Sequence, residues 1–374
     1  MKTLRITVLS IHQQYDTRIA NHLRTMLNEG YDVTYVNWSN ADRLSAEWTS
    51  PSFRLVWHNA SPAFGLNVIR YAFMLLWFTG KAFSNRGDVF HIHDLVLLPI
   101  APALRLLTQS RVVFDVHEHY KRYGGLMGLF ARFCYTVFLP AVDAFIAVTP
   151  STLPETRKPH FIVPNYQRRL DYAWIDNNGG KDGHFRVVYF GNMSTETREV
   201  GLMLELAERC LSEIVDIEFR FGGPLGGPDR EPIRERLEEL AERFPHRFRW
   251  FGVMPRETVI RETAQADIGL LLLKAGGANT TGSQPNKIFE YLTVGAVTLA
   301  TDGFVIADEM RQAGAVILFS PGIEVGPVVA ALCELSADRE RLAVMKAASS
   351  KLGRKYSWEA VEGRYVELYR QLTK

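Results

Sequence analysis

The sequence predicts an α/β protein of two doubly wound, Rossmann-like domains that face each other across a cleft. Short apolar, β-rich runs alternate with helical stretches along the chain, which is typical of parallel βαβ units. This alternation stops and restarts at residues 164–183, where turn formers, charges and a Gly-Gly pair cluster. The length of 374 residues also suits two domains better than one core.

The first domain is predicted over residues 1–165. Its first helix is expected at residues 18–28, and its strands are expected where apolar runs end in polar or small residues. Ligands of doubly wound sheets bind beyond the carboxyl ends of the strands, so the residues at those ends are candidate ligand contacts. The strand runs are residues 4–10, 31–37, 88–93, 111–117 and 144–149, and the residues at their ends are His12, His93, Asp94, His117, Glu118, Thr149 and Pro150.

The second domain is predicted over residues 184–357, after a linker at residues 166–183. An amphipathic helix at residues 358–372 is expected to cross back, so that residues 358–374 pack against the first domain. The predicted strands of the second domain are residues 186–190, 216–221, 248–251, 268–273 and 297–300, and its predicted helices are residues 200–212, 230–243, 256–264 and 285–293.

Composition excludes several classes of protein. With 47% hydrophobic and 22% charged residues, the chain is an average globular sequence and is neither disordered nor collagen-like. No apolar run reaches the ~18 residues of a membrane-spanning helix, and the first residues lack a signal-peptide pattern. Cys134, Cys210 and Cys333 are far apart and odd in number, which fits a reducing compartment. We therefore expect a cytoplasmic protein.

The net charge of +2 conceals an asymmetry. Residues 1–170 hold 18 lysines and arginines against 11 aspartates and glutamates, whereas the remainder holds 25 against 30. A basic first half favours an anionic partner, either phosphate groups or an acidic membrane surface. Unequal solvated faces would give the same count.

Two segments of the first half have the composition of a membrane-contacting surface. Residues 66–83 form a helix that is apolar nearly all round, and Lys121, Arg122 and Arg132 lie among aromatic residues. Either these segments rest on an anionic membrane and receive a lipid-linked acceptor, or they form a core helix and a basic acceptor groove.

The stretch SQPNKIFEYLTVG, which begins at Ser283, carries the clearest binding chemistry. Pro285 suits the first turn of a helix that Ser283 or Gln284 can cap. The helix N-terminus and Lys287 attract an anion, and Glu290, three residues on, lies on the same face. A cation and free amides suit a diphosphate, and a carboxylate suits two ribose hydroxyls. The spacing equally fits a surface Glu–Lys pair on an ordinary helix.

Several segments, taken in order, are similar to landmarks of one enzyme family. They are HQQYDTRI from His12, VFHIHD ending at Asp94, VFDVHE from Val113, IVPNY from Ile162, FGNMS from Phe190, PNKIFEYLTVGAVTLATD from Pro285 and YSWE from Tyr356. Together they cover essentially the whole chain. The sequence resembles the family 4 glycosyltransferases, which are retaining sugar-nucleotide enzymes with the two-domain GT-B fold.

The resemblance implies roles for individual residues. Glu290 would bind the ribose hydroxyls, Lys287 and Arg198 would bind the donor diphosphate, and His117 would approach the donor sugar. We accordingly predict His117, Lys287 and Arg198 as catalytic residues. The further predicted contacts are Gly191, Asn192, Ser283 and Asn286 to the donor nucleotide, and Asp16, Asp94, Gly282 and Thr281 to the donor sugar or the acceptor.

Two positions depart from the family pattern. Gly282 stands where the family has the first glutamate of a pair, and Asn192 stands where a basic residue usually follows the glycine after the first strand of the domain. Gly282 has no side chain for a sugar hydroxyl, although its N–H can approach a ligand closely. Sugar recognition is therefore expected partly from residues 279–283.

The resemblance implies a hexosyltransferase that moves a sugar from a nucleoside-diphosphate sugar to a hydroxyl of a glycan or lipid-linked acceptor, with retention of the anomeric configuration. It implies a role in cell-surface polysaccharide or glycoconjugate synthesis, without a cofactor and without an obligatory metal. We expect no nucleic-acid partner. A peripheral position at the inner face of the cell membrane fits the basic first half.

Three alternatives remain. The two departures are compatible with a non-catalytic, nucleotide-binding partner subunit of a glycosyltransferase, and the same fold also supports a sugar-nucleotide epimerase. The pairs His91/His93 and His117/His119 have the alternate spacing of metal ligands in a strand. No carboxylate-plus-histidine set follows them at a convincing spacing, so a metal-dependent hydrolase is the least favoured alternative.

Overall fold

The computed structural model describes residues 3–12, 16–39, 50–60, 68–120, 123–173, 183–274 and 284–372. The chain divides into two compact units. The first unit consists of Met1–Asn165 and Val361–Lys374, and the second consists of Tyr166–Ala360. Each unit has its own parallel sheet with helices and its own apolar core, which confirms the predicted fold class.

The first unit contains a seven-stranded parallel sheet of order β3-β2-β1-β4-β5-β6-β7. The strands are β1 (Arg5–Ser10), β2 (Asp32–Ser39), β3 (Phe53–Asn59), β4 (Val89–His93), β5 (Arg111–Val116), β6 (Ala144–Ala147) and β7 (His160–Ile162), and the helices are α1 (Thr17–Asn28), α2 (Val68–Ser84), α3 (Ala101–Thr108) and α4 (Gly125–Phe138). Because β1, β4 and β5 are neighbours and run parallel, the residues that follow them meet at one edge of the sheet.

Two strands of this sheet were missed by the sequence analysis, and each lies at an edge. β3 is half-buried and carries Arg54 and His58, so its apolar pattern is weak. β7 has only three residues. The central strands were predicted because both of their faces are buried, which gives the near-continuous apolar runs of parallel sheets.

Helix α2 was expected to be apolar nearly all round, with burial in the core as one alternative. The structure buries only one stripe of it, formed by Met74, Phe78 and Ala82 at spacings of four residues. Ile69 and Leu76, on other faces of the helix, are 85% and 71% exposed. The core-helix alternative is therefore wrong for most of this helix.

The second unit contains a six-stranded parallel sheet of order β12-β10-β8-β13-β14-β15 and a small sheet of β9 and β11. Its strands are β8 (Phe185–Phe190), β9 (Met193–Ser194), β10 (Ile217–Gly222), β11 (Leu225–Gly226), β12 (Phe248–Trp250), β13 (Ile268–Leu271), β14 (Val297–Thr301) and β15 (Val316–Phe319), and its helices are α5 (Val200–Glu213), α6 (Arg230–Arg243), α7 (Arg256–Ala264), α8 (Asn286–Val294), α9 (Ala307–Ala313), α10 (Val325–Ala337) and α11 (Arg339–Lys355). The elements of this unit between β14 and residue 357 were not predicted.

Part of the predicted linker is folded into the second unit. A short 3₁₀ helix spans Arg169–Tyr172, and the buried Gln167 accepts hydrogen bonds from the backbone N–H of Trp358 (2.9 Å) and from Arg256 (3.0 Å). Residues 174–182 of the predicted linker lie outside the described residues.

Helix α8 begins one residue later than predicted. Pro285 is its N-cap, in an extended conformation with φ −62° and ψ 129°, and no side chain of the described residues caps the helix. The predicted capping by Gln284 is therefore wrong, and Ser283 lies outside the described residues. The helix ends at Gly295, whose φ of 74° suits glycine.

The closing helix α12 spans Trp358–Leu372. From Val361 onward it belongs to the first unit, where Tyr365 and Tyr369 are fully buried. The predicted return of this helix to the first domain is confirmed.

Candidate active site

Three of the predicted donor-binding residues meet in the second unit. Gly191 follows β8, and a Cβ atom on it would lie 2.6 Å from Cε and 3.4 Å from Nζ of Lys287. Lys287 therefore crosses directly over Gly191, and a side chain at this position would force the end of the Lys287 side chain to move. The Lys287 ammonium donates to Glu290 Oε2 at 3.1 Å. These three residues form what we call the Lys–Glu site.

The Lys–Glu site holds a buried carboxylate beside a helix N-terminus. Glu290 is only 8% exposed, and burying a carboxylate is costly unless it is paired with a cation. Lys287 supplies that cation from the first turn of α8, where the free backbone N–H groups also favour an anion. The site therefore offers a positive charge and a hydrogen-bond acceptor on one helix face.

Arg198 lies beside the same strand end. Its backbone forms an isolated bridge with Leu273, and its guanidinium donates to the Thr197 carbonyl at 3.2 Å. Tyr189, at the end of β8, has its pKa raised by burial, and the neighbouring Arg198 opposes this effect. The Tyr189 hydroxyl donates to the Asn192 carbonyl at 2.7 Å. Arg198 is thus close to the loop that follows β8.

Two further predicted nucleotide contacts, Asn192 and Asn286, lie at the surface of the second unit. Asn192 is exposed, and its side-chain oxygen faces Gly226 of β11, at 3.1 Å from where a Cβ atom would lie. Asn286 is exposed in the first turn of α8. The predicted nucleotide contact Ser283 and the predicted sugar or acceptor contacts Gly282 and Thr281 lie outside the described residues.

In the first unit, Asp94 and His12 form a close pair at the carboxyl edge of the sheet. His12 Nε2 lies 2.5 Å from Asp94 Oδ1, and Asp94 also accepts from the Ile11 N–H at 3.2 Å. Asp94 has a φ of 79° and ψ of 131°, a strained backbone conformation for a residue with a side chain. Such strain concentrates at functional sites.

The charges around this pair keep His12 protonated. Burial opposes protonation, but Asp94, assisted by Asp16 and Glu118, outweighs it and raises the pKa of His12 to about 9. For Asp94, burial favours the neutral acid, but His12 outweighs it and lowers the pKa of the carboxyl. The pair is therefore an imidazolium and a carboxylate at neutral pH.

His117 lies next to this pair, directly after β5. Its ring stacks on that of His12, with the centroids 5.2 Å apart and the planes inclined by 10°. Its Nε2 lies 2.9 Å from Nδ1 of the buried His93. Asp16, also predicted as a sugar or acceptor contact, is the N-cap of α1, where its carboxylate accepts from the backbone N–H groups of Arg18 (2.9 Å) and Ile19 (3.2 Å).

Beneath His117 lies a buried cluster that the sequence analysis missed. His22, His91, His93 and Asp115 are fully buried, and we call them the histidine cluster. Three imidazole nitrogens, His93 Nδ1, His22 Nδ1 and His91 Nε2, lie 3.3, 3.6 and 3.8 Å from Asp115 Oδ2. Burial lowers the pKa of each of the three histidines, so each is neutral at pH 7.

Arg18 balances the charge of the histidine cluster. Its Nη2 lies 2.6 Å from Asp115 Oδ1 and its Nε lies 2.8 Å from Oδ2, which holds the pKa of Asp115 well below its usual range despite burial. The cluster has ligand atoms suited to a metal ion, as has the set His12, Asp94 and His117. Because Arg18 engages both oxygens of Asp115, the cluster is already neutral overall.

The sequence contained a signal for this cluster. Strand alternation places His91 and His93 on one face of β4, and the register pairs His93 with Asp115 of β5. Arg18 and His22 are four residues apart on α1 and therefore share a helix face. The expectation that no metal is required stays a prediction.

A known family matches part of the chain. Residues 16–166 match the model of Glycosyltransferase Family 4. The match covers most of the first unit, which is similar to that family, and the chain is a glycosyltransferase of the GT-B type. Its fold is GT-B, as the resemblance implied. None of the curated protein sequences matches the chain.

Solved structures with the same fold cover nearly the whole glycosyltransferase chain. Sucrose-phosphate synthase from Thermosynechococcus elongatus has a TM-score of 0.73 at 12% identity, with 99% of each chain covered. HepE of Anabaena in complex with UDP-glucose has a TM-score of 0.69 at 11% identity, with 98% of this chain and 100% of that chain covered. A trehalose-6-phosphate structure from E. coli bound with UDP-2-fluoro glucose has a TM-score of 0.68 at 13% identity, with 97% and 98% covered.

A helix that crosses a membrane must be long and apolar, and the helices of this chain differ in both respects. None of those within the described ranges is both long and apolar enough to cross a bilayer.

Proposed function

We propose that this glycosyltransferase moves a sugar from a nucleoside-diphosphate donor to a hydroxyl of a glycan or lipid-linked acceptor, with retention of the anomeric configuration. In this proposal the second unit binds the donor and the first unit binds the acceptor. The observation that carries it is the Lys–Glu site, in which Lys287 crosses over Gly191 and pairs with Glu290. HepE, which shares the fold, is described in complex with UDP-glucose, and this supports a nucleotide-sugar donor.

The proposed chemistry depends on stabilising a leaving diphosphate. The transition state of glycosyl transfer resembles an oxocarbenium ion departing from a diphosphate. Lys287, Arg198 and the N-terminus of α8 would stabilise the charge that develops on that leaving group. One well-placed hydrogen-bond donor supplies about 3–4 kcal/mol of such stabilisation. Glu290 would accept hydrogen bonds from the ribose hydroxyls.

Retention is proposed through attack from the side of the leaving group, with the leaving phosphate taking the proton of the acceptor hydroxyl. His12 does not compete for that proton at neutral pH, because its pKa of about 9 leaves it already protonated. The His12–Asp94 pair would then hold acceptor hydroxyls through hydrogen bonds. No metal and no cofactor enter this proposal.

Calorimetric titration of UDP, GDP, ADP and CMP into the parent and Glu290→Ala tests the Lys–Glu site. The preferred nucleotide should bind at least 10-fold more weakly to the variant, because hydrogen bonds to a charged group contribute about 1.5–3 kcal/mol. Lys287→Ala should weaken binding of the nucleoside diphosphate but not of the corresponding nucleoside, since only the diphosphate needs the cation.

Lys346→Ala is the matched control, because Lys346 forms an ion pair with Asp267 at 2.6 Å elsewhere in the second unit. It should change stability but not nucleotide affinity. Equal nucleotide affinity in the parent and Glu290→Ala would refute the proposed ribose contact.

Two alternative functions are separated from transfer by product analysis. A sugar-nucleotide epimerase would convert the donor with no acceptor present. A partner subunit would bind nucleotide but release none from any donor–acceptor mixture. The Lys–Glu site is compatible with both, so nucleotide binding alone does not decide between them.

We further propose that the first unit docks on an acidic membrane surface. Helices α2 and α4 expose eight large apolar side chains, and the rings of Tyr71 on α2 and Phe130 on α4 lie 6.2 Å apart. We call these side chains the apolar face. They are Val68, Ile69, Phe73, Leu76, Leu126, Leu129, Phe133 and Val137.

Charge favours an anionic partner for the apolar face. Helices α2, α3 and α4 contain no aspartate or glutamate, whereas Arg70, Lys81 and Arg132 are exposed on α2 and α4. Apolar side chains beside basic ones are typical of surfaces that bind acidic lipids. Lys121 and Arg122, which the sequence analysis included in this surface, lie outside the described residues. Docking of the apolar face on the inner face of the cell membrane would suit a lipid-linked acceptor and a role in cell-surface polysaccharide synthesis.

A further inference from the structure

We infer that His93 is a positioning residue that fixes the tautomer of His117, with the hydrogen of His117 on Nδ1 and its Nε2 kept as an acceptor. The inference rests on the proposed role of His117 in sugar transfer. It makes His117 a neutral hydrogen-bond donor toward the substrate instead of a base.

The imidazoles of His93 and His117 are in short contact. His93 Nδ1 and His117 Nε2 are 2.9 Å apart, a distance that requires one hydrogen between the nitrogens. Two hydrogens would collide, and none would leave two lone pairs facing each other. A neutral imidazole carries a hydrogen on one nitrogen only, so the direction of this bond determines both tautomers.

Donation from His117 to His93 is excluded by the surroundings of His93. If His117 donated, His93 would carry its own hydrogen on Nε2, which is buried and has no hydrogen-bond partner among the described residues. Leaving a buried donor unpaired is unfavourable. The bare Nδ1 of His93 would also face the carboxylate oxygen Asp115 Oδ2 at 3.3 Å, which places two lone pairs together.

Donation from His93 removes both conflicts. The hydrogen on His93 Nδ1 then lies between two acceptors, His117 Nε2 at 2.9 Å and Asp115 Oδ2 at 3.3 Å. The buried Nε2 of His93 becomes a bare acceptor, for which the lack of a partner is less unfavourable. His117, having accepted at Nε2, must carry its hydrogen on Nδ1.

The surroundings of His93 keep its imidazole neutral. Burial lowers the pKa of His93 well below its ordinary value, and the neighbouring His91 acts in the same direction. Asp115 attracts a proton, but Arg18 already satisfies both of its oxygens. His93 therefore has a single hydrogen to place.

This tautomer determines which hydrogen bonds His117 can make to a substrate. Its side chain is 12% exposed, so it is the member of this imidazole pair that reaches the surface, whereas His93 is fully buried. Its Nδ1–H can donate to a sugar or phosphate oxygen. Its Nε2 cannot take a proton without breaking the bond to His93. This agrees with a reaction in which the leaving phosphate takes the acceptor proton.

Nitrogen-15 NMR of histidine-labelled full-length protein tests the tautomer without any activity measurement. The His117 signals, assigned by their loss in His117→Asn, should show hydrogen on Nδ1 in the parent. In His93→Leu the hydrogen should move to Nε2, where Asp115 Oδ2, at 3.5 Å, can accept it. Hydrogen on Nε2 of His117 in the parent would overturn the inference, whether or not the variant folds. A stoichiometric metal ion bound to the purified protein at His93 would overturn it as well.

Rescue variants test whether the Nδ1–H group of His117 contributes to sugar transfer. Asparagine places an amide N–H near the position of Nδ1, and glutamine places one near the position of Nε2. His117→Asn should therefore retain at least 10-fold more sugar transfer than His117→Gln, and His93→Asn should retain more than His93→Leu. The reverse order would overturn the role of Nδ1. If transfer is absent in the parent but the NMR result holds, the proposed function has failed and the tautomer assignment has not.

Discussion

At the scale of single residues, the histidine cluster makes the first unit sensitive to acid. Burial holds the pKa values of His22, His91 and His93 below the ordinary value of 6.5. Below pH 6.5 the unfolded chain therefore binds protons that the folded chain refuses, so stability is present above this pH and is lost as the pH falls. Each such group contributes at most about 1.4 kcal/mol per pH unit to this loss.

Hydrogen exchange at pH 7.5, 6.5 and 5.5 measures this effect strand by strand. The opening free energies of β1, β4 and β5 should fall steeply below pH 6.5. Those of β8 and β10 in the second unit provide the internal control, because the histidine cluster lies in the first unit. An equal fall in both units would contradict the assignment to these three histidines.

At the scale of elements, close helix packing positions the Lys–Glu site. Gly353 of α11 lies against α8, the helix that carries Lys287 and Glu290. A Cβ atom on Gly353 would lie 2.1 Å from the Leu292 carbonyl oxygen, so Gly353→Ala must push the two helices apart. We expect a loss of about 1–3 kcal/mol in the free energy of unfolding, together with weaker nucleotide binding.

Gly363→Ala in α12 is the matched control for that substitution. A Cβ atom there meets nothing within 4 Å, so the higher helix propensity of alanine should stabilise the protein by up to about 1 kcal/mol. Urea unfolding and nucleotide titration of both variants give the comparison. A Gly353→Ala variant as stable as the parent would show that α8 and α11 do not pack as described.

The elements that the sequence predicted well are those whose signals are local. Buried parallel strands such as β1 and β8 have continuous apolar runs, and α8 was located to within a residue because Pro285 and Gly295 mark its ends. The histidine cluster was missed because it is assembled from α1, β4 and β5. Its contact between His91 and Tyr369 of α12, at 2.6 Å, joins residues 278 positions apart, which no local pattern can reveal.

At the scale of the whole molecule, charge and exposed apolar area occur together in the first unit. The basic excess of residues 1–170 coincides with the apolar face on α2 and α4, whereas residues 171–374 hold an acidic excess. Acidic lipid attracts basic side chains over about one Debye length, and apolar side chains then add burial in the bilayer interface. Neither contribution alone binds a protein firmly, so the two should act together.

Co-sedimentation with vesicles tests this last prediction. The parent should pellet with acidic phosphatidylglycerol vesicles at low salt, less at high salt, and little with neutral phosphatidylcholine vesicles. Ile69→Glu with Leu126→Glu should abolish pelleting without unfolding the protein, because these side chains are 85% and 76% exposed. Val215→Glu, at an 81% exposed position of the second unit, is the matched control and should pellet like the parent. A parent that stays in solution with acidic vesicles, or a control that fails as the double variant does, would remove the apolar face as a membrane contact.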